Sequence, residues 1–435
     1  MREIYIIGGG LAGCEAAWHA LRQGCKVTLY EMKPQKFSPA HKLPYLAELV
    51  CSNSLRSESL ETGSGLLKEE MRRLDSLILQ VADKTRVPAG SALAVDRIEF
   101  SKTITKILEQ KIQVIRKEIV SIPKERPLII ATGPLTSEPL AESIKELIGE
   151  EFLYFHDAIS PIVRTDSLNM DIIFEASRYN TKDTSYLNCP LDKEQYYHFV
   201  EELLKAEKVP LRPFEKLIPF EGCVPIELLA ERGRDTLAYG PMKPVGLVDP
   251  KTGKQPYAVV QLRAENKEKT LYNMVGFQTR LKWSEQKRVF RMIPGLERAE
   301  FVRYGSLHRN TYIHSPFLLF RTLQLKKDPS IFFAGQITGV EGYIESAATG
   351  LLAGINVSRY LKGLPFITPP KTTIIGALVH YITDTQVSPF QPMNANFGIL
   401  APLTERVKRT QKKAALIKRA LQELEEWKKR FAEDS

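Results

Sequence analysis

The residues of this chain that could do chemistry are a glycine loop, a scatter of thiols and a strip of cations. Gly8-Gly9-Gly10-Leu11-Ala12-Gly13 spells GxGxxG, directly after the apolar run EIYII at 3–7. Glu31 ends the next apolar run, KVTLYE at 26–31. Glycines at this spacing allow a tight turn, let the backbone approach a pyrophosphate, and let a helix lie close on its strand. The amides at the helix start then meet phosphate, and an acid one strand later can accept both ribose hydroxyl hydrogens. The loop therefore predicts a dinucleotide site at Gly8, Gly9, Gly10, Leu11, Ala12, Gly13 and Glu31.

The five cysteines stand at 14, 25, 51, 189 and 223. They are too few and scattered for a disulfide framework, and no CxxC suggests a zinc ribbon or local redox pair. An odd count fits reduced thiols in a reducing compartment. Cys14 and Cys25 are read as core, on the first helix and beside the second strand. Cys189 precedes Pro190 in what reads as a loop. On the residues alone, Cys51 and Cys223 are either ordinary thiols or reactive ones. No metal-ligand spacing is present.

Net charge is +10, which favours polyanionic partners. The excess concentrates at 401–419, where Arg406, Lys408, Arg409, Lys412, Lys413, Lys418 and Arg419 face a single Glu405. This is either a solvated helix face or a phosphate-contacting strip. No apolar run reaches the roughly 18 residues of a membrane span. The EIYII run passes at once into glycines, so it reads as a strand and not a targeting segment. The expected location is the cytoplasm.

These residues need elements to position them. The spacing predicts a helix over 11–23, one over 65–82 and another over 97–110, with a strand at 127–131. From about residue 160 the texture changes to short strands and loops, with a helix at 193–206. Rossmann-like texture returns near 275–300. A strand at 331–334, a glycine turn and a helix over 343–360 follow, and a terminal helix runs over 412–431. The expected fold is α/β: a Rossmann-like domain split into 1–160 and 286–435, interrupted by an inserted α+β domain at 161–285.

The glycine loop alone does not separate FAD from NAD. The strand ending Ala131-Thr132-Gly133 resembles the short ATG motif of flavoproteins that bind two dinucleotides, the glutathione-reductase-like type. FFAGQITG at 332–339 resembles their late segment, with Gly335-Gln336 where they carry Gly-Asp. An amide can still meet a ribityl hydroxyl or phosphate. Gly339, Glu341, Gly342, Tyr343 and Ile344 sit at the following helix start, where amides could face the flavin and Tyr343 could stack on it.

Longer segments carry a closer resemblance. GGGLAGCEAAW, CSNSLRSE (51–58), FEGCVPIE (220–227), GFQTRLKWSEQKRVFRMIPGLE (276–297) and GQITGVEGYIESAATGLLAGIN (335–356) together resemble the folate- and FAD-dependent tRNA uracil-5-methyltransferases, the TrmFO family. The first and last segments are shared with the related GidA flavoproteins, and the two cysteine segments separate the families. The resemblance implies transfer of the methylene of 5,10-methylenetetrahydrofolate to C5 of the T-loop uridine of tRNA. FAD would be carrier and reductant, recharged by NADH or NADPH. It implies no membrane and no obligatory protein partner. A GidA-like wobble-uridine enzyme and a small-molecule FAD oxidoreductase are the competing readings.

Uracil C5 becomes nucleophilic only when a thiolate adds to C6, and a base must later take the C5 proton. The resemblance implies Cys223 as that nucleophile, where a lowered pKa would populate the thiolate, and Cys51 as base or thiol partner. It also implies that His308, in a segment that reads as a loop, stacks on the pterin of folate. Arg280 lies in a basic amphipathic stretch and is a candidate contact for folate glutamate or tRNA phosphate. The basic strip (Arg406, Lys408, Arg409, Lys412, Lys413) is the candidate tRNA contact.

Overall fold

A computed structural model describes residues 3–150, 152–178, 183–210, 219, 224–405 and 407–433. Its first layer is a five-stranded parallel sheet in the order Ile331–Phe333, Leu128–Ile130, Glu3–Ile7, Lys26–Glu31, Gln113–Arg116. Ile4, Ile6, Leu29, Ile129 and Phe332 are fully buried, as strands covered on both faces require. The fold is thus the expected α/β one.

Helix Leu11–Arg22 packs on helix Tyr343–Lys362. Glycines set how close they come. A Cβ on Gly350 would lie 2.1 Å from the Ala12 carbonyl oxygen, and one on Gly354 would lie 2.5 Å from that of Ala16.

The second layer is a six-stranded antiparallel sheet: Phe174–Glu175, Tyr186–Leu191, Ala258–Ala264, Leu271–Met274, Ile162–Arg164, Phe301–Arg303. Helix Lys193–Lys205, opened by an Asp192/Gln195 capping box, and helix Trp283–Phe290 build its core through Phe199 and Phe290, which meet at Phe277. A ribbon of Leu153–Ile159 with Ser306–Tyr312 stands apart from both sheets, and Ser54–Ser57, Ala92–Val95 and Arg86–Val87 form a small sheet of their own.

Four expectations change. The helix expected over 65–82 is two, Gly63–Arg73 and Leu77–Lys84. Asp75 turns left-handed (φ 62°), and the Ser76 side chain caps the second helix. Residues 275–300 are not a return of the parallel domain. They pack in the antiparallel unit, whose last strand lies past residue 285. The loop-like segment around His308 is a strand. Cys189 and Pro190 are also in a strand, beyond the reach of the short Phe174–Glu175 edge partner, where a missing N–H breaks little.

Candidate active site

The glycine loop forms a cradle. Gly8 has φ 105°, and a Cβ there would sit 2.4 Å from the Ala131 carbonyl oxygen. A Cβ on Gly13 would sit 1.8 Å from the Gly8 carbonyl oxygen, so Gly13 serves helix–strand contact. A Cβ on Gly10 would meet nothing within 4 Å. Gly10 lines a cavity together with Leu11, Ala12, Glu31, Ala131, Thr132 and Gly133. No acidic side chain occupies the first turn of helix Leu11–Arg22, so its positive end is left for an anion. Glu31 accepts from the amides of Gly9 (2.8 Å) and Lys33 (2.9 Å), which fixes its carboxylate at the end of the second strand. These residues fit the ADP part of a dinucleotide.

Gly335 and Gln336 close the far side of that cavity. The Gly335 amide donates to Thr349 Oγ1 at 2.8 Å, with φ 85°. Gln336 and Tyr343 also line a second cavity, as do Cys51, Glu341, Gly342 and Ile344. The two cavities therefore adjoin, with Tyr343 at their boundary.

Cys51 lies at that boundary. The Tyr343 hydroxyl oxygen accepts from the amides of Cys51 (2.7 Å) and Ser52 (3.2 Å). With both lone-pair directions engaged, the phenol's own hydrogen is left for Cys51 Sγ, 2.9 Å away. Burial and Asp157 push the thiol up to about 11, against the pull of Tyr343 and Arg97. Cys51 is thus a thiol at neutral pH. Burial also raises Tyr343 well above the usual phenol range.

The Cys51 segment is anchored from several sides. Arg97 Nη1 donates to the Leu49 carbonyl (2.8 Å), while Arg97 forks onto Glu265 of the antiparallel sheet. Arg263 donates to Ser52 Oγ (2.7 Å) and Asn53 Oδ1 (3.0 Å). The opposite wall carries Asp157 and His308, cross-strand partners in the ribbon. His308 Nε2 lies 3.0 Å from Ser306 Oγ, and burial beside Arg303 lowers the imidazole to about 4, so it is neutral. His308 and Leu135 continue into a third cavity, which Arg280 and Trp283 also line.

The family model described as glucose inhibited division protein A matches residues 3–365. The chain is 60% identical to the Geobacter sulfurreducens methylenetetrahydrofolate–tRNA-(uracil-5-)-methyltransferase TrmFO, over 98% of each chain. It is 58% identical to the protein of the same name from Moorella thermoacetica, over 97% of each. The chain belongs to the TrmFO family. Its fold matches that of Aquifex aeolicus GidA, with a TM-score of 0.68 at 17% identity, covering 99% of this chain and 76% of that one.

In this TrmFO chain the structure brings together most of the expected site residues, and it separates a few. Gly339 lines none of the three cavities. A Cβ there would lie 2.5 Å from the Phe390 ring, which makes it a packing glycine. Tyr343 holds Cys51 by its hydroxyl, a contact the expected stacking role did not include. Lys408, Arg409, Lys412 and Lys413 are exposed, near the start of helix Lys412–Glu433. Arg419 instead donates to the carbonyls of Pro402 and Ala401. Cys223 and Arg406 lie outside the described residues.

Sequence reasoning missed Arg56, Asp157 and Glu345 of the TrmFO site. Arg56 stood in the quoted CSNSLRSE segment and has φ 64°, a strained value for a non-glycine. Glu345 stood in the quoted GQITGVEGYIESAATGLLAGIN segment and was passed over. Asp157 gave no local signal, and only strand pairing places it on the cavity.

Proposed function

We propose that this chain is a methylenetetrahydrofolate–tRNA-(uracil-5-)-methyltransferase, forming 5-methyluridine in the T-loop of tRNA. The observation that carries the reading from the structure is the shared wall. A dinucleotide cradle opens through Gln336 and Tyr343 onto a cavity that presents a thiol. The near-full-length identity to TrmFO proteins supplies the substrate class.

FAD bound at Gly8–Gly13, Glu31, Thr132, Gly133, Gly335 and Gln336 would supply the reducing chemistry, with NADH or NADPH as the source of electrons. The protein's own groups do the rest. Cys223 is the C6 nucleophile. Cys51 takes the C5 proton as its thiolate, the form that Tyr343 and Arg97 favour and burial opposes. His308 offers a neutral face to the pterin, and Arg280 in the adjoining cavity meets the folate carboxylates. Lys408, Arg409, Lys412 and Lys413, with Arg406, meet the tRNA backbone. The working location is the cytoplasm, where tRNA and folate are available. Among the described residues no helix is long and apolar enough to cross a membrane.

The test is direct. Purified holoprotein is incubated with unmodified tRNA, methylenetetrahydrofolate and NADH, and the digested RNA is examined for 5-methyluridine. Product that disappears in Cys223→Ala, while FAD and tRNA binding persist, supports the reading. No product from any tRNA refutes it.

A further inference from the structure

We propose that Glu341 is the proton donor that opens the five-membered ring of the one-carbon donor in the Cys51 cavity. The inference rests on the function proposed above, and extends it to a residue and a step.

Glu341 is held firmly by its backbone. Its amide donates to the Met393 carbonyl (2.8 Å), and the Met393 amide donates to that of Gly339 (3.0 Å). The residue is 6% exposed and lines the cavity. Its Oε2 accepts from Arg56 Nη2 at 2.8 Å. Its Oε1 makes no hydrogen bond among the described residues. One carboxyl oxygen is therefore anchored and the other is available.

The groups around it come from every neighbouring element. Arg56 reaches in from strand Ser54–Ser57, Glu345 from the late helix, and Asp157 from strand Leu153–Ile159. Behind Arg56, the buried Lys68 Nζ is taken up by the carbonyls of Leu55, Arg56 and Ser57. Burial favours the neutral acid, Arg56 opposes it, and Glu345 and Asp157 reinforce it, leaving Glu341 at about 7. The other groups on this cavity suit the task less. Cys51 and Tyr343 hold their protons too tightly. His308 has none to give. Glu345 is fully buried, with Oε1 accepting from the Ala395 amide at 3.0 Å.

The donor chemistry asks for such a group. In 5,10-methylenetetrahydrofolate the methylene bridges N5 and the arylamine N10, and N10 leaves readily only when protonated. Glu341 gives its proton to N10. The methylene–N10 bond breaks with its electron pair staying on N10, and the N5 lone pair forms the N5=CH2 iminium. Glu341 becomes a carboxylate, which Arg56 already faces and the new cation complements. The step is redox-neutral and needs no further reactant.

The experiment traps the iminium without tRNA or pyridine nucleotide. Holoprotein in excess over methylenetetrahydrofolate is mixed with cyanoborohydride, and 5-methyltetrahydrofolate is followed above the protein-free rate. Wild type should accelerate trapping, and the acceleration should decline as pH rises through about 7. Glu341→Gln should lose the acceleration by about 100-fold, with Glu341→Asp recovering part of it, each rate taken per bound FAD. Glu341→Gln trapping at the wild-type rate overturns the proposal. So does a wild-type acceleration that is flat from pH 6 to 8, which stands even if Glu341→Gln folds poorly. Wild type that makes 5-methyluridine while failing these tests leaves the function intact and removes only Glu341. Wild type that makes none removes the function itself.

Discussion

The scaffold and the Cys51 cavity treat buried carboxylates in opposite ways. In the scaffold, Glu15 is fully buried on the nucleotide-binding helix. It accepts from the amides of Leu77 (3.1 Å) and Ile78 (3.0 Å) and from Ser76 Oγ (3.0 Å), with His19 Nε2 at 3.2 Å. Glu70 caps helix Ile374–Ile382 in the same manner, through the amides of Ile374 (2.8 Å) and Ile375 (3.0 Å). In the cavity, Glu341 and Glu345 share Arg56, and Glu345 Oε2 is buried with no partner among the described residues. Raised pKa does not separate the two regions, because burial lifts Glu70 to about 8 and Glu341 to about 7. Satisfaction does. A fully bonded carboxylate is a structural joint. One left short of donors on a cavity is available for chemistry.

Four experiments would break or sharpen that contrast. Glu15→Ala leaves three buried donors without an acceptor and should cost about 3–5 kcal/mol, read from urea unfolding. A loss below 1 kcal/mol would mean the joint is not one. Glu31→Ala removes a charge-assisted acceptor worth about 1.5–3 kcal/mol, so FAD should bind about 10- to 100-fold more weakly by equilibrium dialysis.

Tyr343→Phe removes the hydroxyl that pulls the Cys51 thiol down. The thiol should rise by about one unit, and its alkylation at pH 8 should slow about tenfold, with mass spectrometry following the labelled peptide. Unchanged alkylation would mean that the phenol only shapes the cavity.

The smallest effect concerns stability against pH. Glu341 has a folded pKa above its unfolded one. Below both values the acid is neutral in each state and has no effect. Between them the unfolded chain ionises while the fold keeps the proton, so stability falls as pH rises towards about 7. Glu341→Gln should flatten that part of the stability–pH curve relative to wild type, while a steeper curve would put the carboxylate among the structural joints.

The parallel layer was legible in the sequence because its signals are local. GxGxxG, Glu31 and the strand end at Ala131-Thr132-Gly133 each act within a turn or across one contact. The cavity was legible only in part. Cys51 and His308 were reached through resemblance, and Arg280 through its basic surroundings. Asp157 was not reached, because strand register brings it in from a distant segment, and Glu345 was passed over inside a segment already quoted. The single helix expected over 65–82 failed for a similar reason. Its apolar spacing continues through Asp75, and the break is made by Ser76 and by Glu15 on another helix.

The late helix also works as a ruler. Tyr343 begins it, and Gly350 lies against Ala12 about 10 Å further along at 1.5 Å per residue. One rigid rod therefore carries the mark for the phosphate loop and the mark for the thiol. A bulky residue at Gly350 would shift both marks together, so nucleotide affinity and thiol reactivity should drift in step, as on a gauge knocked out of calibration.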